Sequence, residues 1–322
     1  MRREDCGACF KNNEKDDGMR VVLSSAALML SAAAAAEEFD YEVFAGFDGS
    51  NTETSFSPPQ DLFPFPVGSS SEIESDIYSA GFRWYLDGLS DEIGPRDRAA
   101  FTNRASFAQF AVLTGTVSES GAFFPADPVV QSFSTDFDVT GYALSGRKVF
   151  ENWFFTGQVS TTEIDFFAAS RDQTLVTAGV GRYIGETTAL SLTALRVSTE
   201  QGSFDDVDSG LQLEFTHVGD VAGSGWQYAV DLAASNESFE NSNGQYSAGL
   251  TLYPTKNFGF GVTVDDQLGE SDNDAVRWSL GANWFVTPSL QFEFAAGSTT
   301  FDDPEGVDTD SNQYSIQARY RF

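Results

Sequence analysis

The sequence predicts an all-β fold, namely a transmembrane antiparallel up-and-down β-barrel of about 14 strands. Apolar residues recur at every second position over segments of about ten residues, which is typical of strands that turn one face to lipid. The connections between these segments are alternately short and long. After Glu37 no stretch resembles the roughly 20 apolar residues of a spanning helix, so a membrane role would require strands.

The alternation is clear at both ends of the chain. Phe39, Tyr41 and Val43 alternate with Asp40 and Glu42 in the first segment. Segments of this kind predict strands at 39–48, 73–86, 104–117, 132–148, 153–163, 173–184, 188–199, 209–218, 225–235, 244–253, 257–267, 274–286, 289–299 and 312–322. The segments at 104–117 and 188–199 alternate poorly, so 12 and 16 strands remain alternatives to 14.

The N-terminal residues predict export. Met19-Arg20, the apolar residues 21–30 and the alanines that follow have the three parts of a secretory signal peptide. We therefore expect residues 1–18 to be a misassigned upstream extension, 19–36 a signal peptide with cleavage after Ala36, and 37–322 a single barrel domain. Cys6 and Cys9 have thioredoxin-like spacing, but no βαβ pattern surrounds them, and the predicted mature chain has no cysteine.

The connections fall into two sets that alternate along the chain. Those at 151–152, 185–187, 254–256 and 287–288 are short, whereas those at 51–71, 118–130, 200–208 and 302–310 are longer and acidic. Short periplasmic turns and long outer loops are the asymmetry expected of a bacterial barrel. The connection 87–103 is unusually long for the periplasmic side, and the sequence predicts no role for it.

A spanning sheet leaves no edge unpaired, so the first and last strands must pair. Their pairing would bring Asp40 and Glu42 near Arg319 and Arg321; simple solvation at strand ends is the alternative. Aromatic residues gather at the strand ends, which predicts an interfacial girdle of Phe39, Tyr41, Trp84, Trp153, Tyr183, Trp226, Tyr253, Phe258, Trp284, Tyr320 and Phe322.

Charged side chains on the polar face of the strands are the candidate pore-lining residues. They are Arg83, Asp136, Asp138, Arg182, Glu214, Asp231, Asp265, Arg277, Glu293, Arg319 and Arg321. Small polar residues fill the rest of that face, and about 14 strands enclose a lumen wider than the one that side chains fill in an eight-stranded barrel. The pattern therefore favours a channel, unless a loop plugs it.

The C-terminal Tyr320-Arg321-Phe322 resembles the terminal aromatic signal of Gram-negative outer-membrane proteins, which implies that Phe322 is read by the barrel assembly machinery. The stretch 94–106, which follows Trp84-Tyr85-Leu86-Asp87, resembles a segment of porins from marine proteobacteria. Trimeric general porins have a long constriction loop after their fifth strand, but the stretch 163–171 is short here. The connection 51–71 is a better candidate to fold inward or to latch a neighbour, with a rigid surface loop as the alternative.

The resemblance implies a porin-type channel of the outer membrane for small hydrophilic solutes or ions, in contact with lipid and lipopolysaccharide. We expect no enzyme activity, no cofactor, no metal and no nucleic-acid partner, and a homo-oligomer is left open. A structural or adhesive barrel without an open pore is the main alternative. A lipid hydrolase is the other, but the lone histidine of the mature chain, His217, faces outward and no Gly-x-Ser-x-Gly motif accompanies it.

The net charge predicts ion selectivity. The formal charge of the whole chain is −30, and residues 1–36 hold as many basic as acidic side chains, so the predicted mature chain keeps this excess. A channel mouth of one sign concentrates counter-ions. We therefore expect a cation preference that is strongest at low salt, unless inward arginines at the narrowest point make the pore anion-selective.

Overall fold

The protein is a closed barrel of 14 antiparallel strands in which each strand pairs with its sequence neighbours and β1 pairs with β14. The computed structural model describes residues 38–56, 68–90, 94–124, 131–166, 169–201, 204–237, 242–269, 274–302 and 307–322. No helix among these residues is long and apolar enough to cross a membrane. The predicted extension, signal peptide and cleavage site lie outside the described residues.

Each of the 14 predicted strands overlaps one observed strand, including the two that alternate poorly. The strands are β1 Glu38–Phe56, β2 Gly68–Ser90, β3 Phe107–Phe124, β4 Gln131–Phe150, β5 Trp153–Phe166, β6 Ala169–Ile184, β7 Thr188–Gln201, β8 Phe204–Asp220, β9 Gln227–Glu237, β10 Ser242–Thr255, β11 Phe258–Gly269, β12 Asp274–Phe285, β13 Leu290–Asp302 and β14 Val307–Arg321. The predicted fold class and strand number are confirmed.

The ends of the barrel differ in their connections. Residues 38 and 322 and the short turns lie at one end, which we call the periplasmic end because bacterial barrels place short turns there. The opposite end is the loop end. Strand β1 has 19 residues and β2 has 23, whereas about 9–11 residues cross a bilayer, so the strands continue beyond the apolar band at the loop end.

The outer wall has an apolar band towards the periplasmic end. Exposed side chains such as Phe82, Trp84, Tyr142, Leu144 and Leu192 form this band. Nearer the loop end many outward positions are acidic in the described strands, and we call these residues the outer acidic collar: Glu53, Glu72, Glu74, Asp76, Asp136, Asp138, Glu163, Asp165, Asp172, Glu200, Asp266 and Asp310. Charge is tolerated on this face because the strands have passed the hydrocarbon layer.

The seam between the first and last strands is held by charge. Arg321 Nε donates to Glu42 Oε2 at 2.9 Å, and Arg83 and Arg319 place guanidinium nitrogens 3.4 and 3.7 Å from Glu42 Oε1. The predicted approach of Glu42 to these arginines is therefore found. Asp40 is not part of this cluster, because the register shifts between Phe39 and Tyr41 and its side chain is exposed.

Candidate functional site

The long periplasmic connection folds into the lumen, and we call residues 94–106 the plug. A 3-10 turn at Arg96–Arg98 leads into a single helical turn at Ala99–Thr102, α1. Gly94 enters the plug at φ 74°, a left-handed conformation that glycine adopts without a Cβ penalty. Arg104 leaves it at φ 53°, and its guanidinium donates to Asn152 Oδ1 at 2.7 Å and to the Gly185 carbonyl at 2.6 Å.

Ion pairs and hydrogen bonds hold the plug to the far wall of the barrel. Arg98 Nη2 lies 2.6 Å from Asp231 Oδ2 on β9, and Arg98 Nε donates to the Tyr253 hydroxyl at 3.2 Å. Tyr253 on β10 and Asn283 on β12 donate to Asp97 Oδ2 at 2.8 and 3.0 Å. These contacts fix the plug to three strands that are distant from it in sequence.

The backbone of the plug is also tied to the wall. The Arg96 N–H donates to the Lys256 carbonyl at 3.0 Å, in the turn between β10 and β11. Arg321 Nη1 donates to the Arg96 carbonyl at 3.0 Å while Arg321 Nε holds Glu42. Arg321 therefore joins β14, β1 and the plug.

Apolar side chains fill the space around the plug. Ala99 and Ala105 pack with Phe39, Tyr85 and Leu89 in one buried cluster. Phe101 packs against two further clusters, one of Phe154, Tyr183 and Ala189 and one of Val218, Ala229 and Tyr253. Because these clusters come from β1, β2 and β5 to β10, the plug spans the periplasmic end of the lumen.

Burial changes the acidity of the Asp97 carboxyl. Desolvation raises its pKa, which the nearby Arg98 guanidinium and the Tyr253 hydrogen bond only partly offset. Asp97 Oδ1 is buried without a hydrogen-bond partner. A proton on this carboxyl would therefore remove a charge that its surroundings only partly compensate.

Eight of the predicted pore-lining residues lie on the inner wall. Arg83, Arg319, Arg321, Glu293 and Asp231 belong to the charged network around the plug, in which Arg319 Nη2 lies 3.0 Å from Glu293 Oε2. Glu214 accepts from Ser191 at 2.9 Å. Asp265 and Arg277 occupy partner positions on β11 and β12, nearer the loop end.

Three predicted pore-lining residues face outward, which corrects the prediction. Asp136 and Asp138 share a face of β4 with the exposed Tyr142 and Leu144. Alternation misleads here because the strand has left the bilayer, where lipid no longer demands apolar side chains. Arg182 lies over the outer Trp153 ring at 5.4 Å, because its neighbour Tyr183 turns inward onto Phe101.

The same plug contacts correct part of the predicted aromatic girdle. Phe39, Tyr183 and Tyr253 are buried inside the barrel, whereas Tyr41, Trp84, Trp153, Trp226, Phe258, Trp284 and Phe322 are exposed. His217 lies on the outer face, where Nδ1 shares a hydrogen bond of 2.8 Å with Thr188 Oγ1. Within the described ranges no three His, Cys, Asp or Glu side chains are arranged to hold a metal ion.

Solved structures with this architecture are outer-membrane barrels. The outer membrane protein Omp33 of Acinetobacter baumannii is 14% identical at a TM-score of 0.50, over 89% of this chain and all of that one. The chain has the fold of an outer-membrane β-barrel. The barrel also resembles a TodX mutant described as a monoaromatic hydrocarbon channel (TM-score 0.48, 10% identity, 88% and 91% covered). No family model and no curated protein matches the sequence.

The plug is the functional feature that sequence reasoning missed. The sequence showed its length, as the unusually long connection 87–103, and three consecutive charged residues, Arg96, Asp97 and Arg98. The sequence did not show which wall residues would receive these charges, because the contacts with Asp231, Tyr253 and Asn283 span 133 to 186 positions.

Proposed function

We propose that the protein is a porin-type channel of the outer membrane for small hydrophilic solutes or ions, closed at its periplasmic end by the docked plug. The observation that carries the proposal is the contrast within the lumen. Towards the loop end, the inner wall formed by β9 to β14 is lined mainly by Gly, Ser, Thr, Asn and Gln, which leave room for water, whereas the periplasmic end is occupied by the plug. Passage would require the plug to shift.

The attachment of the plug supports a movable closure. It is held by polar and charged contacts of side chains such as Arg98 and Asp97 and by small apolar clusters, not by a strand of the barrel. Ion pairs of partly exposed groups contribute little, about 0–1 kcal/mol each, so several of them can break without unfolding the barrel.

We also propose that the open channel prefers cations. The inward carboxylates at the loop end would raise the local cation concentration. The inward arginines near the plug act in the opposite sense. Reversal potentials under a KCl gradient at low salt measure the balance, and an anion-selective value would mean that the arginines set the field.

Planar-bilayer conductance tests the channel itself. Arg98→Ala removes the ion pair with Asp231 and the bond to Tyr253, so open events should become more frequent than in the wild type. Arg277→Ala, a lumen arginine without a plug contact in the described structure, is the matched control and should leave the frequency unchanged.

A closed structural barrel is the second candidate, because the filled periplasmic end is what such a barrel requires. It predicts that neither the wild type nor Arg98→Ala conducts. Folded protein in the bilayer, verified by heat-modifiable migration on gels, makes that result decisive against the channel.

A further inference from the structure

The inner wall of the lumen carries an apolar strip on one side, between the plug and the loop end. Its members face inward on β3 to β7 and are Leu113, Val117, Phe137, Val139, Ile164, Leu175, Leu195 and Val197. Val139, Leu195 and Val197 are buried on this face while their strand neighbours Leu144 and Leu192 are exposed to the outside. The register pairs Val117 with Phe137, Val139 with Ile164, and Leu175 with Val197.

The opposite wall is polar. Above the plug, and as far as Thr299 on β13 and Thr309 on β14, the described inward positions of β9 to β14 hold no Leu, Ile, Val or Phe. A recess of ≈ 320 Å³ opens on this wall, and its inward lining includes Asp48, Thr263, Ser279, Asn283, Glu293 and Gln317. The chamber above the plug therefore has one apolar and one polar side.

The charge of the chamber is mainly negative. Among the described inward side chains above the plug, the carboxylates are Asp48, Glu119, Asp206, Asp208, Glu214 and Asp265. The guanidiniums in the same region are Arg171 and Arg277. Because carboxylates outnumber guanidiniums, a cation is favoured over an anion in this space.

We propose that the chamber binds small organic cations that carry an apolar group, with the group against the apolar strip and the charge towards the carboxylates. This proposal deepens the proposed function and rests on it. A purely hydrophilic pore gains nothing from an apolar strip, whose exposure to water costs about 25 cal/mol per Å². Small-molecule sites combine apolar lining with a few polar groups, as this chamber does.

Three probes separate the two features of the site. Equilibrium dialysis of the full chain in detergent micelles, against protein-free micelles, measures binding of benzyltrimethylammonium, tetramethylammonium and benzenesulfonate. The first probe has both the charge and the apolar group, and each of the others has one of them. We expect benzyltrimethylammonium to bind about tenfold more tightly than either, since each buried methylene is worth about fourfold.

Paired variants locate the binding. Val139→Thr with Leu195→Thr should weaken benzyltrimethylammonium about three- to tenfold and leave tetramethylammonium unchanged. Val176→Thr with Leu192→Thr makes the same two substitutions on the outer face of β6 and β7 and should alter neither. Asp48→Asn with Asp265→Asn should weaken the binding of both cations. This pair still tests the proposal if the strip variant does not fold, which heat-modifiable migration would show.

Equal binding of the three probes, or strip variants that bind benzyltrimethylammonium as the wild type does, would overturn the proposal. Absence of binding at millimolar probe would also overturn it. Conductance on the same preparation separates the two proposals. If the protein conducts ions but does not discriminate between the probes, only the binding proposal is wrong. If it binds benzyltrimethylammonium selectively but does not conduct, the channel proposal is wrong.

Discussion

The two ends of the lumen are built from the same 14 strands but are filled differently. At the periplasmic end the inward residues are large, and Phe39, Tyr85, Phe154, Tyr183 and Tyr253 pack against the plug. Towards the loop end many inward residues are glycine, serine or threonine, and the wall is left without a packed core. The width of the barrel is therefore not what closes it. Side-chain size at the periplasmic end, together with one long connection, decides where the lumen is filled.

The largest effect is expected from removing the centre of the charged network at the filled end. Glu42→Gln leaves Arg83, Arg319 and Arg321 without their shared carboxylate, and breaking a buried ion pair costs about 3–5 kcal/mol. Urea unfolding of the barrel in micelles would measure the loss. Glu53→Gln, on the same strand in the exposed collar, should change stability by no more than about 0.5 kcal/mol, and equal effects of the two variants would contradict the comparison.

Shortening the plug should make the two ends alike. Replacement of residues 94–104 by a short Gly-Ser linker removes the segment that spans the lumen, so single-channel conductance should rise, by about tenfold if a lumen of this width becomes water-filled. Conductance that stays at the wild-type level in a folded barrel would show that another part of the chain closes the lumen.

Acid should hold the plug in place. The pKa of Asp97 is raised in the docked plug, mainly by burial, so the docked state binds a proton more readily than the released state. This stabilisation is fully present below the ordinary value of 3.8 and is lost as the pH rises through the raised pKa. The groups that interact with the Asp97 carboxyl, through charge or through a hydrogen bond, are Arg98, Arg321, Glu293, Tyr253 and Asn283.

Open probability should therefore fall as the pH is lowered through the raised pKa of Asp97 towards 3.8. Asp97→Asn, which imitates the protonated side chain, should open rarely at every pH and lose most of this dependence. Single-channel recordings across the range provide the measurement. If the open probability of the wild type rises as the pH falls, the plug docks better with Asp97 ionised than with Asp97 protonated, which would contradict this prediction.

The smallest effect is expected at the outer acidic collar. Asp136→Asn with Asp138→Asn changes the outer face of β4, so the reversal potential under a salt gradient should stay close to that of the wild type. Asp48→Asn with Asp265→Asn removes the same charge from the inner wall and should lower the cation preference. A larger shift from the outer pair would place those aspartates in the ion path.

The sequence by itself determined the barrel. Period-two alternation and the two classes of connection were enough to predict a barrel of about 14 strands, because every strand that crosses lipid needs apolar side chains on its outer face. The structure then decided between 12, 14 and 16 strands. The pairing of Glu42 with Arg319 and Arg321 could also be predicted, because a closed sheet leaves β1 no other partner than β14 and β2.

Only the tertiary structure decided what lies inside and which face some charges take. Asp136, Asp138 and Arg182 alternate with apolar residues, so the expectation that apolar residues face lipid assigned these charged residues to the lumen. That expectation fails where the strand extends beyond the bilayer, as at Asp136 and Asp138. It also fails beside the plug, as at Arg182, because apolar residues there face inward. The sequence predicted Tyr183 and Tyr253 in the aromatic girdle, but in the structure they face inward, where Phe101 and Asp97 of the plug are their partners. Alternation indicates which face of a strand contacts lipid. Packing inside the lumen, in contrast, depends on contacts between residues more than a hundred positions apart.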